Sequence, residues 1–123
     1  MKFNSELKSE IVRYLDYVIL VEGKKDVAAL KMLGFERVFA IHKTGVSLRE
    51  QVEEISKQVS RKDKVCILTD LDKRGKQLYL LVKQILQENG IKLDSSLRGV
   101  LIKAGLSHIE GIDKFMEKVG GIS

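Results

Sequence analysis

Apolar positions along the chain recur with two different periods, and segments of the two kinds alternate. Leu7, Ile11 and Leu15 stand four apart behind Asn4 and Ser5, which predicts a helix over residues 6–15 with a side-chain oxygen available to cap it. YVILVEG follows, uniformly apolar up to Val21, as suits a short strand covered on both faces. Val27, Ala28, Leu30 and Leu33 then mark one side of a helix over 26–33, closed by Gly34. RVFAI predicts a second strand. Ser47 can cap the next helix, whose inward stripe is Leu48, Val52, Ile55 and Val59. KVCILT is a third strand, and Leu78, Leu81, Val82, Ile85 and Leu86 line a helix over 75–89 that Asn89 and Gly90 end. GVLIK predicts a fourth strand, and residues 112–119 a last short helix before Gly120 and Gly121.

No two predicted strands follow one another directly, and each connection is long enough for a helical crossover. The expected fold class is therefore α/β, with a mainly parallel four-stranded sheet sandwiched between helices. The 123 residues suffice for one core, and no repeat, low-complexity segment or proline marks a linker, so a single domain over 1–123 is expected. In open sheets of this kind ligands bind beyond the carboxyl ends of the strands.

Composition narrows the class. Hydrophobic residues make up 44% and charged residues 32%, the balance of a soluble globular protein. The apolar runs fall far short of the ~20 residues that cross a bilayer, and MKFNSELKSE has no apolar signal core, so a cytoplasmic location away from membranes is expected. The single Cys66 sits inside an apolar run and reads as a packed hydrophobe; no internal disulfide and no Cys/His metal site can form from it. A net charge of +5 is compatible with a polyanionic partner, and Lys24, Lys25, Lys43, Lys73, Arg74 and Lys76 fall where apolar runs stop. Aromatics are only 6%, which argues against reading of single strands through base stacking.

The candidate chemistry lies at two strand ends. The first strand runs into Glu22, Gly23, Lys24, Lys25 and Asp26, and the third into Asp70 and Asp72. Side chains two apart in an extended segment point the same way, so the aspartates converge, and Glu22 can meet them if the first and third strands are neighbours. Like charges at ~4 Å repel by about 1 kcal/mol in water and by several times that near a protein surface. A divalent cation removes the conflict. A small, all-oxygen donor set suits Mg²⁺ (or Mn²⁺ in its place) held together with water and substrate phosphates, with Lys73 and Arg74 neutralising the remainder. Glu110 is open to two readings, a further ligand of this site or a cap of the last helix. His42 and His108, near strand ends, read as hydrogen-bonded loop residues.

VEGKKD and TDLDKRG resemble the two signature motifs of the Toprim domain. That module is shared by bacterial primases, type IA and type II topoisomerases, overcoming-lysogenization nucleases, recombination mediators and the nuclease that matures small ribosomal RNA. KTGVSL is similar to the glycine-containing turn and helix start after the second strand in primases and in the maturation nuclease. GLSHIEG resembles a loop after the fourth strand of the latter. The resemblance spans roughly residues 17–110 and leaves the first helix and the tail as additions. It implies a Rossmann-like Toprim fold, Glu22 as general acid or base in strand cleavage and joining, and Asp70 and Asp72 as Mg²⁺ ligands with Glu22 beside them. It also implies that Gly23, Gly45 and Gly75 let the backbone turn closely. Asp26 matches the acid closing the first motif, where a cap or ion-pair role is expected. Tyr14, Tyr17 and Tyr79 match no nucleophilic tyrosine of a topoisomerase.

The expected function is Mg²⁺-dependent cleavage or transfer of phosphodiester bonds in RNA or DNA, nuclease- or primase-like, with Lys24, Lys25, Lys73 and Arg74 on substrate phosphates. The alternative is a non-catalytic module that binds metal and nucleic acid, working as a homodimer or with a protein partner in a larger assembly. An aspartyl phosphatase is a third class, because DLD resembles the haloacid-dehalogenase signature. Arg74 stands where that signature has Thr or Val, which ranks it last.

Overall fold

Four consecutive residues with no polar member, Val18–Val21, form the central strand β1, and all four are buried. The computed structural model describes residues 5–41, 45–70, 73–106 and 108–112. Helix α1 spans Ser5–Val12, α2 Lys24–Met32, α3 Leu48–Ser56, α4 Lys73–Glu88 and α5 Ser96–Ala104; β2 is Arg37–Ala40, β3 is Val65–Ile67, and a 3₁₀ turn covers Ile109–Gly111. The strands lie in the order β2-β1-β3, all parallel, with Ile19 in register between Val38 and Cys66. Each crossover carries a helix, as parallel pairing requires.

Alternation along the strands divides the core in two. Val18, Leu20, Val65 and Ile67 pack against Val52 and Ile55 of α3 and against Val82, Ile85 and Leu86 of α4. Ile19, Val21, Cys66 and Leu68 face the other way, onto Leu7 and Ile11 of α1, Ala29 and Leu30 of α2, and Leu97 and Leu101 of α5. Both faces of β1 and β3 are thus sealed, which is why these two strands show no polar period, while β2 at the edge is half-buried along its length. At about 1.5–3 kcal/mol for each large apolar side chain buried, these two layers supply the main drive for folding.

Local signals place the helix ends. The Ser47 hydroxyl oxygen accepts the Glu50 N–H at 3.1 Å at the start of α3. Asn89 donates its side-chain amide to the Ile85 carbonyl at 2.8 Å and closes α4. Among the described residues no helix is long and apolar enough to cross a membrane.

Several expectations differ from the observed elements. The sheet of the described residues has three strands, because GVLIK belongs to α5 and not to a fourth strand. Leu97, Arg98 and Leu101 are its buried positions, a helical spacing that a run of three apolar residues conceals. Beyond β3 the sheet gains only a single parallel bridge, between Val65 and Leu93. Helix α1 stops at Val12, and Leu15 packs from the following turn. Leu81, expected on the inward stripe of α4, is 53% exposed beside Leu80. Of the expected helix over 112–119, everything past Ile112 lies outside the described residues, as do His42, Lys43 and Thr44.

Candidate metal and phosphate site

Because β1 and β3 are neighbours, the residues that follow them emerge side by side. Glu22 comes directly after β1, and Asp70 stands three positions past the end of β3. The Asp70 backbone N–H donates to Glu22 Oε2 at 2.7 Å. Asp70 Oδ1 in turn accepts the Ile109 N–H at 3.3 Å, from the 3₁₀ turn. Each carboxylate therefore has one oxygen held by a backbone donor and a second without a hydrogen bond among the described residues.

Asp26 completes the acidic surroundings in a different role. Its side chain is buried in the first turn of α2 and accepts the Gly23 N–H at 3.0 Å, which is the cap expected of it. Burial raises its pKa above the usual carboxylate value, the Gly23 N–H opposes this, and the charges of Asp70, Glu22 and Glu110 push it up further. Four carboxylates thus share one electrostatic neighbourhood, with Glu110 exposed on the 3₁₀ turn. Asp72 lies outside the described residues. Among the described residues no group of three His, Cys, Asp or Glu side chains is placed to hold a metal ion.

The basic residues flank this end of the sheet. Lys24 and Lys25 are exposed in the first turn of α2, and Lys73 and Arg74 in the first turn of α4, so the positive ends of two helices and four cations border the acids. The motif glycines are not equivalent. Gly23 has an extended backbone and open space where a side chain would stand, so nothing there demands glycine. Gly75 is buried with its Cα against the Asp70 carbonyl, and any Cβ would collide with that backbone. Gly45 has φ +83, a left-handed conformation.

One contributor was not anticipated. Arg98, on α5, is 7% exposed and donates Nη1–H to the Thr69 carbonyl at 3.1 Å, with Tyr79 of α4 stacked 4.3 Å from its guanidinium carbon. Burial lowers the pKa of this arginine, which makes no ion pair among the described residues. The Thr69 hydroxyl, also buried, donates to the Gly75 carbonyl at 2.8 Å. A charged residue between Leu97 and Gly99 in an otherwise apolar stretch was the available signal.

The donor set fits a hard dication. Glu22 and Asp70 offer oxygen only, and each keeps one oxygen without a hydrogen bond among the described residues, the donor chemistry that suits Mg²⁺ completed by water and phosphate. Cys66, by contrast, is sealed in the core, and burial pushes its thiol up to about 12, out of reach of metal or redox chemistry at neutral pH.

A parallel sheet whose central and edge strands deliver Glu22 and Asp70 to one rim, with helices α2 and α4 starting beside them, is the arrangement of a Toprim domain. The chain belongs to the Toprim domain family, whose sequence profile matches residues 17–99. Within that family it falls among the UPF0292 proteins. It is 34% identical over 104 residues to UPF0292 protein MJ1624 of Methanocaldococcus jannaschii, covering 81% of this chain and 78% of the relative. It is 33% identical over 102 residues to UPF0292 protein PH1700 of Pyrococcus horikoshii, covering 83% and 74%. A solved structure of a protein from Aquifex aeolicus superposes with a TM-score of 0.70 at 30% identity, over 87% of this chain and 95% of that one. Toprim domains typically bind Mg²⁺ and often use it in catalysis.

Proposed function

We propose that this protein is a Mg²⁺-dependent enzyme that cleaves or transfers phosphodiester bonds in nucleic acid at the Glu22/Asp70 rim. The observation that carries this reading is the 2.7 Å contact between Glu22 and Asp70, 48 residues apart in sequence, at the ends of adjacent parallel strands. Asp70, with Asp72, would hold the ion, and Glu22 would stand beside it. The bound ion would supply neutralisation of charge on the phosphate. The second Glu22 oxygen, which has no hydrogen bond among the described residues, would take a proton from the attacking oxygen or return one to the leaving oxygen. Lys24, Lys25, Lys73 and Arg74, together with the N-termini of α2 and α4, would bind and orient the neighbouring phosphates.

The test is incubation of the full chain with end-labelled structured RNA and DNA in the presence of Mg²⁺. Wild type should turn over one of them, Glu22→Gln should be slower by about 10²-fold or more, and Asp70→Asn should lose the Mg²⁺-dependent turnover. Equal rates for wild type and Glu22→Gln would remove Glu22 from the chemistry. Salt-dependent binding that survives Asp70→Asn, with no turnover by any variant, would instead establish a binding module.

A further inference from the structure

The Thr69–Asp70 peptide is contacted at both ends by charged side chains. Its carbonyl oxygen accepts Arg98 Nη1–H at 3.1 Å, and its N–H donates to Glu22 Oε2 at 2.7 Å. One planar amide therefore lies between a buried guanidinium and a carboxylate of the candidate site. We infer that Arg98 is a positioning residue: through the Thr69–Asp70 peptide it serves as the counter-charge of Glu22, fixing the orientation of the Glu22 carboxylate and how Asp70 leaves the sheet. The inference deepens the functional reading above and rests on it.

Three observations support it. Arg98 is only 7% exposed, yet it pairs with no Asp or Glu among the described residues. Burial of a cation without a counter-ion is costly, and an apolar side chain of similar volume would pack between α4 and α5 without that cost. What an apolar residue could not do is polarise an amide. A cation on the carbonyl strengthens the N–H at the far end of the same peptide as a donor, so the short bond to Glu22 is the consequence to be expected. The guanidinium is also held in place, by Tyr79 stacked on its face at 4.3 Å and by a weaker approach of 3.5 Å to the Thr69 hydroxyl oxygen. That hydroxyl donates to the Gly75 carbonyl, so Thr69 also ties the exit of β3 to the first turn of α4.

The experiment uses the ¹⁵N-labelled full chain, with Mn²⁺ as the probe ion. The Asp70 amide proton should resonate downfield in wild type and move upfield in Arg98→Met, and Mn²⁺ affinity should fall by about tenfold or more, the range for groups that support metal ligands from behind. Arg98→Lys, which keeps the charge but not the planar fork, should give intermediate values of both. Leu101→Ala, on the same helix and buried in the same core, should lower thermal stability and move neither. A folded Arg98→Met with an unchanged Asp70 amide overturns the inference, and so does a Leu101→Ala that reproduces both effects. Should Arg98→Met fail to fold, the neutral but polar Arg98→Gln decides, and values equal to wild type would reject the relay. Wild type that binds no Mn²⁺ would defeat the metal reading itself, while the amide shift still reports on the peptide relay.

Discussion

Gly75→Ala separates a glycine that the backbone requires from one that merely occupies a motif. A methyl group on Gly75 would fall inside the van der Waals envelope of the Asp70 carbonyl oxygen and stand 2.8 Å from the Asp70 Cα. Those atoms belong to the backbone at the exit of β3, where no side chain can swing aside. The start of α4 would have to retreat by on the order of 1 Å, since overpacked cores relax through backbone shifts. That movement breaks the 2.8 Å bond from the Thr69 hydroxyl to the Gly75 carbonyl. Losing the bond costs about 1 kcal/mol, and the overpacking about 1–3 kcal/mol more. A loss of about 2–4 kcal/mol in a domain of this size lowers Tm by roughly 10 °C. Gly23→Ala meets open space and an extended backbone, and should cost well under about 1 kcal/mol. Thermal unfolding followed by circular dichroism measures both, and Mn²⁺ titration should show affinity lost in Gly75→Ala and kept in Gly23→Ala. A Gly75→Ala protein that melts within ~2 °C of wild type would refute the close approach of α4 to the Asp70 carbonyl.

Other groups report on the fold through pH and reactivity. Tyr17 is buried and donates its hydroxyl to Asp94 at 2.9 Å, which pushes its pKa from 10.0 to about 12. Its neutral form is favoured in the folded state, so the stability it contributes is present below pH ~10 and falls as pH rises toward 12. Tyr17→Phe should flatten that alkaline decline in urea melts. Asp63 is held down to about 2 by the Arg37 guanidinium at 2.7 Å, so its contribution is present above pH ~4 and fades as pH falls toward 2. Asp63→Asn should shrink the acid-side slope of Tm against pH, and an unchanged slope would show the pair contributing nothing to the native state. Cys66, 1% exposed, should resist iodoacetamide at pH 8 in the native protein and react stoichiometrically in urea.

The sequence carried the two-layer plan and half of the rim. Alternation of Val18 and Leu20 with Ile19 and Val21 was invisible, since all four are apolar, yet the lack of polar positions itself indicated a strand covered on both sides. The order of motifs put Glu22 and Asp70 at strand ends, and adjacency of β1 and β3, which no local pattern encodes, brought them together. Burial misled at Leu81, because periodicity assigns an inward stripe without knowing how wide the groove between α4 and the sheet is. Gly23 and Gly75 look alike in a motif and differ in what surrounds them, and only the packing of α4 against the strand exit distinguishes the two.

The segment misread as a fourth strand is also the one that brings Arg98 to the site. In LRGVLIKA the three adjacent apolar residues fit a buried strand, and a short run of that kind has no period to contradict it. The flanks held better information. Asp94 Oδ1 accepts the Ser96 N–H at 2.9 Å just ahead of α5, and Gly105 ends the helix at φ +96, a start and a stop that frame nine helical residues. Had 99–103 been a strand beside β3, alternation would have turned every second side chain to each face of the sheet, and Arg98 would have preceded it in a loop. As a helix the segment buries Leu97, Arg98 and Leu101 on one side, and Leu97 and Leu101 anchor it beneath β3 while Arg98 reaches the last carbonyl before Asp70. The change from strand to helix therefore moves a cation from a surface connection into hydrogen-bond contact with the amide that holds Glu22. Arg98 of α5 thus reaches the backbone of the rim from behind, while Lys24, Lys25, Lys73 and Arg74 stand exposed at the starts of α2 and α4.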